Sequence, residues 1–158
     1  MLTEKEIIEI QDGMKYCREN KTGAVEALMV IQHNRGYVSD EALQELSKFL
    51  DLSCAELDSI ATFYNLILRK TVGKYVIRVC DSVSCFLTGG EKVADYLKEK
   101  LNIDFGGTSK DGLFTLLPTV CLGHCDQGPV MLVNSNIITN LTKEKIDTMI
   151  SQAKEFQD

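Results

Sequence analysis

The sequence predicts an α+β protein: a bundle of short amphipathic helices over residues 1–72, followed by a small α/β domain over residues 73–158. Three observations carry this reading. Apolar residues recur at helical spacing through roughly the first 64 positions, with capping residues between the runs. A β-branched stretch, Lys74-Tyr75-Val76-Ile77-Arg78-Val79, then breaks that period. Beyond it, two cysteine pairs each follow a segment of strand character.

The helical part opens with Thr3-x-x-Glu6, the signature of a reciprocal cap, in which hydroxyl and carboxylate each accept a backbone N–H. Ile7, Ile10, Met14 and Cys17 follow as one expected buried stripe. A second helix carries Val25, Leu28 and Ile31 and should stop near Gly36. Ser39 can cap a third, with Leu43, Leu46 and Leu50 inward, and Ser53-x-x-Glu56 a fourth, with Leu57, Ile60 and Tyr64. Such short helices cannot bury their stripes singly, so they should pack together or against the next unit.

The change of period after Asn65 leads through Gly73 into the first strand, which delivers Cys80 at its end. A loop is expected to carry Cys85, and Thr88-x-x-Glu91 to cap a helix with Val93, Ala94, Leu97 and Leu101. Asp111-Gly112 is a turn before a second strand, Leu113 to Val120, ending at Cys121; its Pro118 points to a sheet edge or a frayed end. Val130 to Val133 and Ile137 to Thr139, joined by Asn134-Ser135-Asn136, read as a hairpin, and a last helix runs from Thr142 to about Phe156.

A formal charge of −6 argues against a sequence-independent hold on phosphate backbones, so nucleic acid is not an expected partner. No apolar run reaches the roughly 20 residues of a spanning helix, and the start lacks a basic stretch followed by an apolar one. A cytoplasmic protein, or one held to a membrane through a larger complex, is expected. Thiols stay reduced there, so the six cysteines read as metal ligands or core residues rather than disulfides.

Spacing narrows this further. Cys80-x4-Cys85 and Cys121-x3-Cys125 are separated by 35 residues, and the pairs can meet if the strands before them lie side by side. Two thiolates on each of two irons is what a 2Fe-2S cluster needs. Zinc also accepts four thiolates, but its structural knuckles most often have shorter loops, so a zinc-stapled interaction module stands as the alternative. A dithiol oxidoreductase is weaker, because no Cys-x-x-Cys occurs. Gly123 and Gly128-Pro129 allow the backbone to fold close to a bound anion and aim N–H groups at its sulfurs, which raises a reduction potential, while Asp81 and Asp126 would oppose added negative charge if they faced it. His124 reads as a surface loop histidine, with proton coupling to a redox site as the sharper alternative. Cys17 and Cys54 read as packing residues, and His33 as a favourable charge near a helix end.

With those residues assembled, the chain resembles the E-type subunits of NADH-quinone oxidoreductase, the small 2Fe-2S subunits in the NADH-dehydrogenase module of respiratory complex I. The most specific stretches are Val79-Cys80-Asp81-Ser82-Val83-Ser84-Cys85 and Leu117-Pro118-Thr119-Val120-Cys121-Leu122-Gly123-His124-Cys125-Asp126-Gln127-Gly128-Pro129. Gly36-Tyr37-Val38-Ser39, Ala61-Thr62-Phe63-Tyr64 and Val72-Gly73-Lys74-Tyr75 add to it. The resemblance implies a thioredoxin-like 2Fe-2S ferredoxin domain after the helical bundle, with Cys80 and Cys85 on one iron and Cys121 and Cys125 on the other. It implies an electron-transfer subunit, non-catalytic alone, that exchanges electrons with the FMN of a partner flavoprotein, which binds NADH and carries a 4Fe-4S cluster. Further subunits of the same complex are implied too, and the chain lacks any Gly-x-Gly-x-x-Gly after a strand, so it should not bind NADH itself. His124 departs from the smaller or uncharged residue expected there. Equivalent subunits of NAD-linked or electron-bifurcating hydrogenases and formate dehydrogenases share the four-cysteine pattern and are the alternative assignment.

Overall fold

The structure, a computed structural model, describes residues 1–155. The chain divides into two compact units, Met1–Thr71 and Val72–Asp158, each with its own apolar core.

The first unit holds four helices, α1 (Glu4–Gly13), α2 (Asn20–Arg35), α3 (Asp40–Leu50) and α4 (Cys54–Phe63). Their boundaries follow local chemistry. Thr3 with Glu6 and Ser53 with Glu56 form both reciprocal caps, and the Ser39 hydroxyl accepts the Ala42 N–H. Gly36 ends α2 at φ 85°, a conformation that glycine adopts without a Cβ penalty. Ile10, Leu28, Ile31, Leu46, Leu50 and Leu57 form the centre of the core. Two expected stripes are shorter than their periodicity suggests. Helix α1 stops at Gly13, so Cys17 lies beyond it and is half-buried, and Tyr64 follows α4 as an exposed residue.

Beyond its place in the cap, Glu6 sits fully inside the unit. The Arg35 guanidinium explains it: Nε donates to Oε1 at 2.7 Å and Nη2 to Oε2 at 2.9 Å, while Nη2 also reaches Glu45 at 2.9 Å. The three side chains tie α1, α2 and α3 together.

The second unit is a four-stranded sheet in the order β2-β1-β3-β4, from β1 (Tyr75–Cys80), β2 (Phe114–Thr119), β3 (Met131–Val133) and β4 (Asn136–Ile138). β1 and β2 run parallel in register from Tyr75–Phe114 to Cys80–Thr119, and β3 and β4 pair antiparallel as the expected hairpin. Pro118 lies on the edge strand β2, where a missing N–H costs no ladder bond on the open side. Helices α6 (Gly90–Leu101) and α7 (Lys143–Glu155) share a core with the sheet, built on Ile77, Val79, Leu97, Phe114, Leu116, Met131 and Ile146. The expected reach of the last helix to Phe156 falls outside the described residues.

Two expectations between the first strand and α6 are corrected. Cys85 is not in a loop but inside a short helix, α5 (Val83–Leu87). Thr88 does not cap α6; it ends α5, and Gly89 precedes α6 at φ 100°. The Thr88 hydroxyl donates backwards to the Ser84 and Cys85 carbonyls at 3.0 and 3.1 Å, and Gly89 takes the cap position of α6.

Candidate metal centre

Because β1 and β2 are parallel neighbours, the chain leaves both at the same end of the sheet. Cys80 is the last residue of β1, and Cys121 stands two residues beyond the end of β2. Asp81 N–H donates to the Thr119 carbonyl at 3.1 Å, fastening the two exits side by side. The segment before β3 closes the third side, with Cys80 N–H donating to the Val130 carbonyl at 3.1 Å. Cys80, Cys85 and Val130 form a small buried cluster of their own, with Leu122 packed against it.

The pairs differ in exposure. Cys80 and Cys85 are buried, whereas Cys121 and Cys125 are exposed. Cys121 Sγ and Cys125 Sγ stand 3.3 Å apart, close enough to face one ion, and Gly123 N–H points at Cys121 Sγ from 3.4 Å. Gly123 manages this at φ 83°. Cys125 begins a single 3-10 turn, Cys125–Gln127.

The thiols feel one another. Burial resists ionisation of Cys80, but N–H groups of Ser82 and Leu122 and the Ser82 and Cys85 side chains donate to it, and its pKa falls below the usual thiol value. Burial and the neighbouring Cys80 thiolate push Cys85 up to about 11 against the Val130 N–H, with Cys125 adding repulsion. Cys125 is raised chiefly by Cys121, and Cys80 repels it as well. Thiolates at Cys80, Cys85 and Cys125 repel one another, and cations among them relieve that repulsion. Iron supplies that charge, so the donor set fits the 2Fe-2S group. Among the described residues no three His, Cys, Asp or Glu side chains gather around a single ion. A two-iron cluster asks for two cysteines per iron, not three or four on one metal.

The remaining singled-out residues lie elsewhere or at the margin. His124 is half-buried in the Cys121–Cys125 loop, and Asp81 and Asp126 are exposed. His33 is exposed in the last turn of α2. Cys54 is exposed at the start of α4, its Sγ 4.0 Å from the Leu43 carbonyl, so it is not a core residue of this chain. Two residues escaped sequence reasoning: Val130, whose backbone serves both Cys80 and Cys85, and Ser84, which donates to Cys125. Ser84 had a signal in its place one residue before Cys85; Val130 had none beyond belonging to a strand.

The profile of the thioredoxin-like [2Fe-2S] ferredoxin family matches residues 10–154. The E-type subunit of NADH-quinone oxidoreductase from Buchnera aphidicola subsp. Acyrthosiphon pisum (strain APS) is 41% identical over 153 residues, covering 97% of this chain and 94% of the relative. Its namesake from Escherichia coli (strain K12) is 40% identical over 151 residues, covering 96% and 90%. A solved NAD+-reducing [NiFe]-hydrogenase in the air-oxidized state superposes with a TM-score of 0.71 at 25% identity, over 83% of this chain but only 23% of the hydrogenase chain. The chain belongs to the thioredoxin-like [2Fe-2S] ferredoxins. Within them it is a member of the family of E-type NADH-quinone oxidoreductase subunits.

Proposed function

We propose that this chain is the electron-transfer subunit of an NADH:quinone oxidoreductase, holding its 2Fe-2S cluster through Cys80 and Cys85 on one iron and Cys121 and Cys125 on the other. The observation that supports the ligand assignment is the parallel pairing of β1 and β2, which sends the segments bearing the two pairs out of the same end of the sheet, with the Cys121 and Cys125 sulfurs 3.3 Å apart. When bound, the cluster supplies storage for one electron. The chain's own residues do the rest. Backbone N–H groups of Ser82, Leu122, Gly123 and Val130 aim at the sulfurs of Cys80, Cys121 and Cys85 and stabilise negative charge there. Burial of Cys80 and Cys85 keeps water from one side, and the exposed second pair leaves the other side open to a redox partner.

That partner is a flavoprotein that binds NADH and FMN and carries a 4Fe-4S cluster. Val83, Phe86, Leu87 and Val120 are exposed apolar side chains beside the cysteine loops, as a docking face requires. The subunit is non-catalytic by itself. It works on the cytoplasmic side, held to the membrane through the complex; among the described residues no helix is long and apolar enough to cross a membrane. The likeness to the hydrogenase favours an equivalent role in an NAD-linked hydrogenase as second reading, but it covers a minor part of that chain, whereas the E-type relatives match over nearly their full length.

Iron and sulfide content of purified variants tests the ligand set. Cys80→Ser, Cys85→Ser, Cys121→Ser and Cys125→Ser each lose most of the cluster or bind it with an altered spectrum; Cys17→Ser and Cys54→Ser keep about two irons per chain. One zinc per chain in a colourless sample would sink the redox reading.

A further inference from the structure

The segments that carry the two cysteine pairs also approach each other closely at a point away from the thiols. Gly128, three residues after Cys125, approaches Thr88, three residues after Cys85, so closely that a Cβ at position 128 would lie 2.5 Å from Thr88 Oγ1. Backbone conformation does not demand glycine there, since Gly128 has φ −66° and ψ 157°, open to any residue and favoured before a proline. The demand is for space alone.

Thr88 is not free to give way. Its hydroxyl donates to the Ser84 carbonyl at 3.0 Å and the Cys85 carbonyl at 3.1 Å, and its N–H donates to the Ser84 carbonyl at 3.2 Å. Its methyl would already stand 3.6 Å from the added Cβ. Turning the side chain to relieve the clash therefore breaks both hydroxyl bonds, and a β-branched χ1 is stiff. The Cys85 carbonyl is enclosed on another side as well, since a Cβ on Gly90 would lie 2.8 Å from it.

We infer that Thr88 and Gly128 are positioning residues that clamp the loop of Cys121 and Cys125 onto the helix of Cys85, setting the separation of the two cysteine pairs. The inference rests on the four-cysteine ligand assignment proposed above. Neither residue is one of the proposed ligands; both act through the backbone that carries those ligands.

The test uses the full-length holoprotein in five forms: wild type, Thr88→Ser, Thr88→Ala, Gly128→Ala and the double variant Thr88→Ala/Gly128→Ala. Iron release to a chromogenic chelator and the paramagnetic spectrum of the dithionite-reduced protein are recorded for each. Far-UV circular dichroism checks that the chain is folded. Gly128→Ala should release iron at least tenfold faster, with shifted g-values. Thr88→Ser, which keeps the hydroxyl, should stay within about twofold of wild type, and Thr88→Ala should fall between. The double variant should return to within about threefold of Thr88→Ala and recover the wild-type g-values, because the alanine at 88 removes the atom in the way. Release from Gly128→Ala within twofold of wild type would overturn the clamp. So would a double variant as labile as Gly128→Ala alone, and so would failure of both to fold, since the space at 128 would then not be set by Thr88. Cys125→Ser is run beside them to keep the two readings apart: full iron with an unchanged spectrum in that variant overturns the ligand assignment, whatever the clamp variants do.

Discussion

Replacing Glu6 by Gln should destabilise the helical unit by about 3 kcal/mol at neutral pH. Only 3% of the Glu6 side chain is exposed and 29% of Arg35, so water screens the pair little. The Arg35 hydrogen bonds, opposed by burial and helped by the N–H of Thr3, hold the Glu6 carboxyl at about 2 where 4.5 is ordinary. At about 1.4 kcal/mol per pH unit, that lowering corresponds to about 3 kcal/mol favouring the folded, ionised form. The sign follows from the direction. A carboxyl lowered on folding contributes fully above its unfolded value, near pH 4.5, and the contribution is lost as pH falls through about 2. The gap between wild type and Glu6→Gln should therefore be about 3 kcal/mol at pH 7, about 2 at pH 3.5 and near 0.5 at pH 2. Urea unfolding followed by far-UV circular dichroism at pH 7 measures the first figure, with cluster absorbance followed separately as the reporter of the second unit. A side-chain carboxyl titration by carbon-13 NMR measures the pKa directly. A loss below about 1 kcal/mol, or a Glu6 carboxyl titrating above pH 4, would refute the reasoning.

Other outcomes follow from the same geometry. In the metal-free reduced protein, alkylation read by mass spectrometry should modify Cys121 and Cys125 well before Cys80 and Cys85, because the first two are exposed and the others buried. Gly36→Ala should cost about 1 kcal/mol in urea unfolding, since φ 85° strains any residue with a Cβ while nothing crowds the site. Ser39→Ala should cost about 1 kcal/mol through loss of the Ala42 N–H acceptor. Leu116→Ala, at a fully buried position in the sheet core, should cost about 2–5 kcal/mol and lower the thermal midpoint of the holoprotein.

What the sequence made legible was local. Ser53-x-x-Glu56 is readable because both partners of the cap lie within one turn, and the structure forms it. The side-by-side strands that the two cysteine pairs require are formed by the parallel pairing of β1 and β2, a direction that the spacing did not state. The burial of Glu6 was not legible, because its partner lies 29 residues away on another helix and nothing in the periodicity of α1 announces an inward carboxylate. Helix α5 was missed because five residues are too few for an apolar period, and Ser82 makes no side-chain cap bond to mark its start. Thr88-x-x-Glu91 carried the right letters for a cap, yet Thr88 closes α5 and Gly89 stands at the cap position of α6. A capping signature states what a side chain can accept, and the chain before it decides which helix it serves.

The same distinction bears on the cysteines. Spacing identified two pairs but left open whether they stand equal, and they do not. Cys80 belongs to a strand paired on both sides, so its position is set by the sheet and by the Val130 carbonyl. Cys121 and Cys125 hang on turns held by few hydrogen bonds, with Gly123 N–H among them. A site that passes electrons to another protein needs both properties. Rigid ligands limit the rearrangement that accompanies a change of charge, and an open side lets a partner approach closely. For the proposed ligand set the sheet supplies the first through Cys80, with Cys85 buried beside it on α5. The exposed loop supplies the second, at the cost of a pair whose position the strands do not fix, which is why the contact of Gly128 with Thr88 matters more than its exposed location suggests.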